Sequence, residues 1–133
     1  MKKKTNKNGG VYVDGFVLTV PKKNIALYKK MAGFMAKLSR KYGALDYKEC
    51  VGDDLNPKSG GMKFMTFPKL IKPKKGELVL FSYIVYKSRK HRDQVNAQMM
   101  KDPAMDKEKW KDKPMPFDMK RMCYGGFKTI VSM

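Results

Sequence analysis

Few side chains in this chain are placed to do chemistry, and the most conspicuous is Asp14, set inside the apolar run "VYVDGFVLTV" at residues 11–20. A bare carboxylate withdrawn from water is costly, so an acid in such a run is paired with a cation, protonated, or placed at a turn. The cations that fit this role are Arg92, Lys120 and Arg121. Two readings stay open. One is a buried ion pair that fixes the sheet or a subunit contact. The other is a small polar pocket of Asp14, Arg92, Asn96 and Tyr124, with Arg121 as a further candidate, in which a carboxylate of raised pKa acts as a base.

The remaining reactive groups offer less. Cys50 and Cys123 are far apart, without CxxC spacing, and His91 is the single histidine. Neither a zinc site nor a disulfide framework is therefore expected. A nucleophilic cysteine needs a neighbouring cation and base, so Cys50 reads as a packed strand thiol. Both thiols are expected to be reduced, in a cytoplasmic protein. His91, between Lys90 and Arg92, reads as a solvated helix residue. Asp53 and Asp54 lack the further oxygen ligands of a hard-cation site and are expected in a loop. Neither a metal nor a cofactor is implied.

The elements that must position these groups follow from the hydrophobic period. Residues 11–20 predict one strand, in which Gly15 permits a bulge or a close backbone approach. Over residues 21–42 the period becomes helical, with Pro21 near the start and Gly43 just past the end. Tyr28, Met31, Ala32, Met35 and Leu38 share one side, while Lys29, Lys30, Lys37, Arg40 and Lys41 share the other. That stretch contains no acid.

Residues 44–51 ("ALDYKECV") predict a second strand, followed by the long loop "GDDLNPKSGG". Residues 62–75 read both ways, strand-like in "MKFMTF" and loop-like in "PKLIKPKKG". "ELVLFSYIVY", Glu77–Tyr86, is the clearest strand and is apolar on both alternating faces. Ser88 is placed to cap a helix that stops before Pro103. Its stripe of Val95 and Met99 would carry Arg92 and Asn96 to the edge of the core. Irregular chain anchored by Trp110 leads to a last strand in "KRMCYGGFKTIV", where Gly125 and Gly126 predict a bulge or bend.

The order strand, helix, strand, strand, helix, strand is that of a ferredoxin-like βαββαβ protomer, an α+β fold with an antiparallel sheet. Two helices cover only one face of such a sheet. A second copy of the chain is the expected cover for the other, which predicts a homodimer.

With 133 residues the chain has room for one core. The expected division is a disordered basic tail over residues 1–9 and a single domain over residues 10–133. The tail lacks the apolar stretch of a signal peptide, and no run is apolar enough to span a membrane. Lys and Arg total 30 against 12 acids, a net charge of +18. Only four of the basic residues are arginine, the side chain suited to bidentate phosphate and base recognition. A basic stripe from the first helix and residues 56–75 would hold nucleic acid or an anionic membrane by counterion release, without sequence specificity.

The segments "YVDGFVLTVP", "YGALDYKEC", "VLFSYIVYKS", "RDQVNAQMMKDPAM" and "MPFDMKRMCYGGF" together resemble the YbaA-like family of bacterial proteins of unknown function. The lysine load and the insert over residues 56–76 depart from the family pattern. The resemblance implies a dimeric α/β barrel and brings no reaction with it. The expected function is binding of a small molecule or anion in a pocket near Asp14. The alternatives are a cofactor-independent, monooxygenase-like enzyme, by fold analogy, and a basic nucleic-acid-associated protein.

Overall fold

Strand β1 (Tyr12–Pro21) is the axis of the molecule, a computed structural model that describes residues 11–133. The tail expected over residues 1–9 lies outside the described residues. Strand β1 pairs antiparallel with β3 (Glu77–Tyr86) along its length and with β4 (Cys123–Lys128) over its first part. Strand β2 (Asp46–Val51) pairs antiparallel with the far side of β3. The result is one four-stranded antiparallel sheet in the order β2-β3-β1-β4. Helices α1 (Ile25–Lys41) and α3 (Arg89–Lys101) are the long ones, and α2 (Phe67–Ile71) and α4 (Lys107–Trp110) lie in connections. The fold is therefore mixed α+β, with the element order expected when the short helices are set aside.

The period-two geometry of a strand sorts the core. Leu18, Val20 and Leu80 pack on Tyr28 and Ala32 of α1. Tyr86 packs with Leu38, Val95 and Met99 from α1 and α3. Burying each such side chain fully contributes about 1.5–3 kcal/mol. Helix α1 stops at Gly43, whose φ of 106° suits a residue without a Cβ. At the start of α3 the Ser88 hydroxyl accepts the His91 N–H at 3.1 Å. In return His91 Nδ1 accepts the Lys87 N–H at 2.9 Å. His91 is thus a half-buried capping residue with its ring edge toward Tyr86, rather than a solvated one.

The opposite face of the sheet is half covered by the chain itself. Leu55 and Phe67 from the β2–β3 connection lie over Val79, and Thr19 and Val79 are buried there. Residues 62–75 are not a strand; they contribute α2, capped by the Thr66 hydroxyl. Toward the other end Phe81 is 44% and Phe127 63% exposed. Cys50 and Cys123 are both free and exposed, contrary to the packed thiol expected for Cys50. The pairing register sets Cys50, Phe81, Val17 and Cys123 in one cross-strand row, and the outward pleat of β2 explains the exposure.

No bulge forms at the glycines. Gly15 faces Gly125 and Asp14 faces Gly126 in unbroken register. What the glycines admit is aromatic rings: a Cβ on Gly15 would sit 3.4 Å from Phe127, and a Cβ on Gly126 would collide with the ring of Tyr12. Among the described residues, no helix is long and apolar enough to cross a membrane.

Candidate functional site

Asp14 lies on the helix-facing side of β1, in the same cross-strand row as Tyr47 and Ile84. It is 1% exposed. Arg92, in the first turn of α3, reaches down to it, and its Nη1 donates to Asp14 Oδ1 at 2.7 Å. The same nitrogen donates to the Tyr124 hydroxyl at 3.0 Å, and that hydroxyl donates to Asp14 Oδ2 at 3.2 Å. Arg92 Nε is turned to Asp93 at 2.7 Å. The guanidinium also stands over the Tyr12 ring, 5.1 Å from its centre. Gly126 lets Tyr12 lie flat against β4, so that glycine helps to set the plane on which Arg92 rests.

Burial drives the Asp14 carboxyl above its usual pKa of 3.8, and the Arg92 charge and the Tyr124 hydroxyl pull it only part of the way back. A second hydroxyl stands close. Tyr86 is 0% exposed, and among the described residues its hydroxyl has no hydrogen-bond partner. Burial, and then the nearby Asp14, push the Tyr86 pKa up, so it remains a protonated donor.

Asp14, Tyr86 and Tyr124 wall one end of a cavity of about 280 Å³ between the sheet and the helices. Its sides are apolar, from Phe16, Leu18, Met31, Met35, Met99 and Met122. Asn96 lines it, and Tyr124, half exposed and stacked on Phe16 at 4.8 Å, forms a lip. At the other end Glu49 of β2 accepts from the Tyr28 hydroxyl at 2.8 Å and from the Tyr47 hydroxyl at 2.6 Å. Burial and this carboxylate raise the pKa of both tyrosines.

The structure brings Asp14, Arg92, Asn96 and Tyr124 to one site and leaves Arg121 out of it. Arg121 instead grips Glu77, Nη1 to Oε2 at 2.7 Å and Nη2 to Oε1 at 2.9 Å. Tyr124 pairs with Phe16 and Cys123 with Val17, so the residues before them lie toward the Pro21–Glu77 end of the sheet, where Arg121 meets Glu77. Lys120 is exposed, as are Asp53 and Asp54 in their loop. Lys29, Lys30, Lys37, Arg40 and Lys41 stand exposed on the outer side of α1. Tyr28, Tyr47, Glu49 and Tyr86 were not anticipated as site residues. The signal for two of them was legible, since Tyr47 and Glu49 alternate onto one face of β2. Among the described residues no group of three or more His, Cys, Asp or Glu side chains is placed to hold a metal ion.

An antiparallel α+β sheet roofed on one face by helices, with an acid–arginine–tyrosine cluster inside the roof, defines a cavity-bearing domain rather than a recognisable catalytic class. Residues 11–119 match the family described as Protein of unknown function (DUF1428). The chain is 42% identical over 120 residues to Uncharacterized protein YbaA of Escherichia coli strain K12, covering 90% of this chain and 97% of that one. The YbaA of Shigella flexneri matches to the same extent. The chain belongs to this YbaA-like family. Among solved structures, the de novo designed protein Foldit4 overlaps 89% of this chain and 97% of its own, at 8% identity and a TM-score of 0.43, and carries no argument.

Proposed function

We propose that this protein binds a small molecule in the cavity beside Asp14. One observation carries the reading: a fully buried carboxylate, held by a single arm of Arg92, forms part of the wall of a 280 Å³ space otherwise lined mostly by apolar side chains. A purely structural ion pair has no need of such a space beside it. The test is saturable binding of the neutral naphthalene dye 6-propionyl-2-(dimethylamino)naphthalene, followed by fluorescence, to the folded protein and to Met31→Trp, which fills the cavity from α1. Binding of one dye per chain that vanishes in the folded variant supports the reading, and equal binding to both removes it.

A second reading, in which Asp14 is a general base, is favoured by its raised pKa. Turnover of a bound compound that is lost in a folded Asp14→Asn protein supports it, and turnover retained in that variant rejects it.

The same proposal includes the assembly. The protomer is ferredoxin-like, and two copies close their uncovered sheet halves on each other as a dimeric α/β barrel. Phe81 and Phe127, with Val13, Val17 and Val85 around them, support this, because large exposed apolar faces rarely stay bare in a monomer. Sedimentation at twice the 15.3 kDa chain mass, shifting to the single chain in Phe127→Lys, is the expected result; a wild-type protein that sediments as a single chain overturns it.

A further inference from the structure

The cavity has two polar ends of opposite hydrogen-bonding character. Glu49 accepts from two tyrosine hydroxyls and keeps further lone pairs, so its end offers acceptors to anything inside. Tyr86, by contrast, has a buried O–H that makes no well-formed hydrogen bond among the described residues, because the Asp14 carboxylate beside it is already held by Arg92 and Tyr124. A hydroxyl left in that condition is unfavourable until something accepts from it.

Charge narrows the occupant further. Asp14 and Glu49 both line the cavity, while the Arg92 guanidinium, which does not line it, is shared by Asp14, Asp93 and Tyr124. An anionic ligand would meet two carboxylates and no cation among the lining side chains. Size and walls add the rest. A dry cavity of about 150 Å³ holds benzene, so 280 Å³ accommodates two fused rings. The strand register separates the Tyr86 and Glu49 backbones by one strand spacing and four residues along β3, roughly 14 Å, a gap that two rings with end groups bridge once the side chains are counted. Methionine sulfurs and aromatic faces are good partners for flat rings.

Resting on the small-molecule reading above, we infer that the ligand is a neutral, flat two-ring compound with a carbonyl-type acceptor at the Tyr86 end and a hydroxyl or amino donor at the Glu49 end.

Isothermal titration with 6-acetyl-2-naphthol, 2-acetylnaphthalene, 2-naphthol and 6-hydroxy-2-naphthoate tests this. The first binds tightest, each single-function compound binds about tenfold more weakly, and the naphthoate binds worst. Tyr86→Phe, which removes an unsatisfied hydroxyl and therefore folds, weakens the two acetyl compounds about tenfold and leaves 2-naphthol unchanged. Glu49→Gln weakens the hydroxyl compounds and spares 2-acetylnaphthalene. Equal affinities across the four compounds, or variants that shift all of them alike, overturn the two-ended ligand while leaving a binding cavity. No binding of any of the four, together with dye binding that survives Met31→Trp, overturns the cavity reading itself.

Discussion

Two arginine–carboxylate pairs stand in this molecule, and they differ in kind. Arg121 and Glu77 meet fork to fork, and the Lys74 N–H adds a third bond to Glu77 at 2.6 Å. The Arg121 hydrogen bonds lead in holding the Glu77 carboxyl down at about 2. Arg92 gives Asp14 one nitrogen, which it shares with Tyr124, and turns Nε to Asp93, so burial outweighs pairing and the Asp14 pKa rises. The same two functional groups make a clamp in one place and a poised acid in the other. What distinguishes them is how many donors each carboxylate receives for the water it has lost.

The contrast breaks most visibly on removing each arginine. Arg92→Met leaves a buried, unpaired carboxylate and is expected to lower stability by about 3–5 kcal/mol near pH 7. Arg121→Met, at a pair nearer solvent, is expected to lose distinctly less, because water screens the carboxylate it leaves behind. Urea unfolding at pH 7 measures both, and equal losses would erase the distinction.

Acid separates them in a second way. The lowered pKa of Glu77 contributes stability that is present above its ordinary value of 4.5 and is lost as pH falls from there toward about 2. Arg121→Met should therefore match wild type more closely only in that window. For Asp14 the sign is reversed: a raised folded pKa favours the folded state below 3.8, and that contribution disappears as pH rises through the folded value. The Arg92→Met deficit should accordingly begin to close at a higher pH than the Arg121→Met deficit. Unfolding curves from pH 7 to pH 3 decide it.

Smaller changes sharpen the comparison. Gly126→Ala must move the Tyr12 ring, and overpacking of this kind is expected to lower stability by about 1–2 kcal/mol. The Asp14 titration, followed by carboxyl NMR, should shift while that of Glu77 stays put. Tyr124→Phe removes one donor from Asp14 and should lower stability by about 0.5–1 kcal/mol while raising the Asp14 pKa further. An Asp14 pKa that falls in this variant would mean that Tyr124 does not stabilise the ionised form.

Much of this arrangement was legible before any coordinates. The two-sided apolar pattern of Glu77–Tyr86 marked β3 to its end residues, and Ser88 and Gly43 marked helix ends through local chemistry alone. Asp14 announced itself because an acid in an apolar run demands a partner, and Arg92 was placed by the Val95–Met99 stripe of its own helix. Tyr86 and Tyr47 on strands and Tyr28 on α1 escaped notice because a tyrosine looks the same in sequence whether its hydroxyl is satisfied or orphaned; only the packing of helix on sheet tells. Arg121 was grouped with Tyr124 on nearness in sequence alone, whereas three residues along the sheet carry it from Asp14 to Glu77. The glycine pair suggested a bend when its purpose was to leave room for rings.

That room has an outcome for anyone who maps this protein by substitution. Position 126 bears no functional group and does not line the cavity, yet the tilt of the guanidinium is inherited through Tyr12 from its missing side chain. A scan scored on the Asp14 titration would rank this glycine among the sensitive spots, and a designer wishing to retune the acid could do so from there without touching either charge.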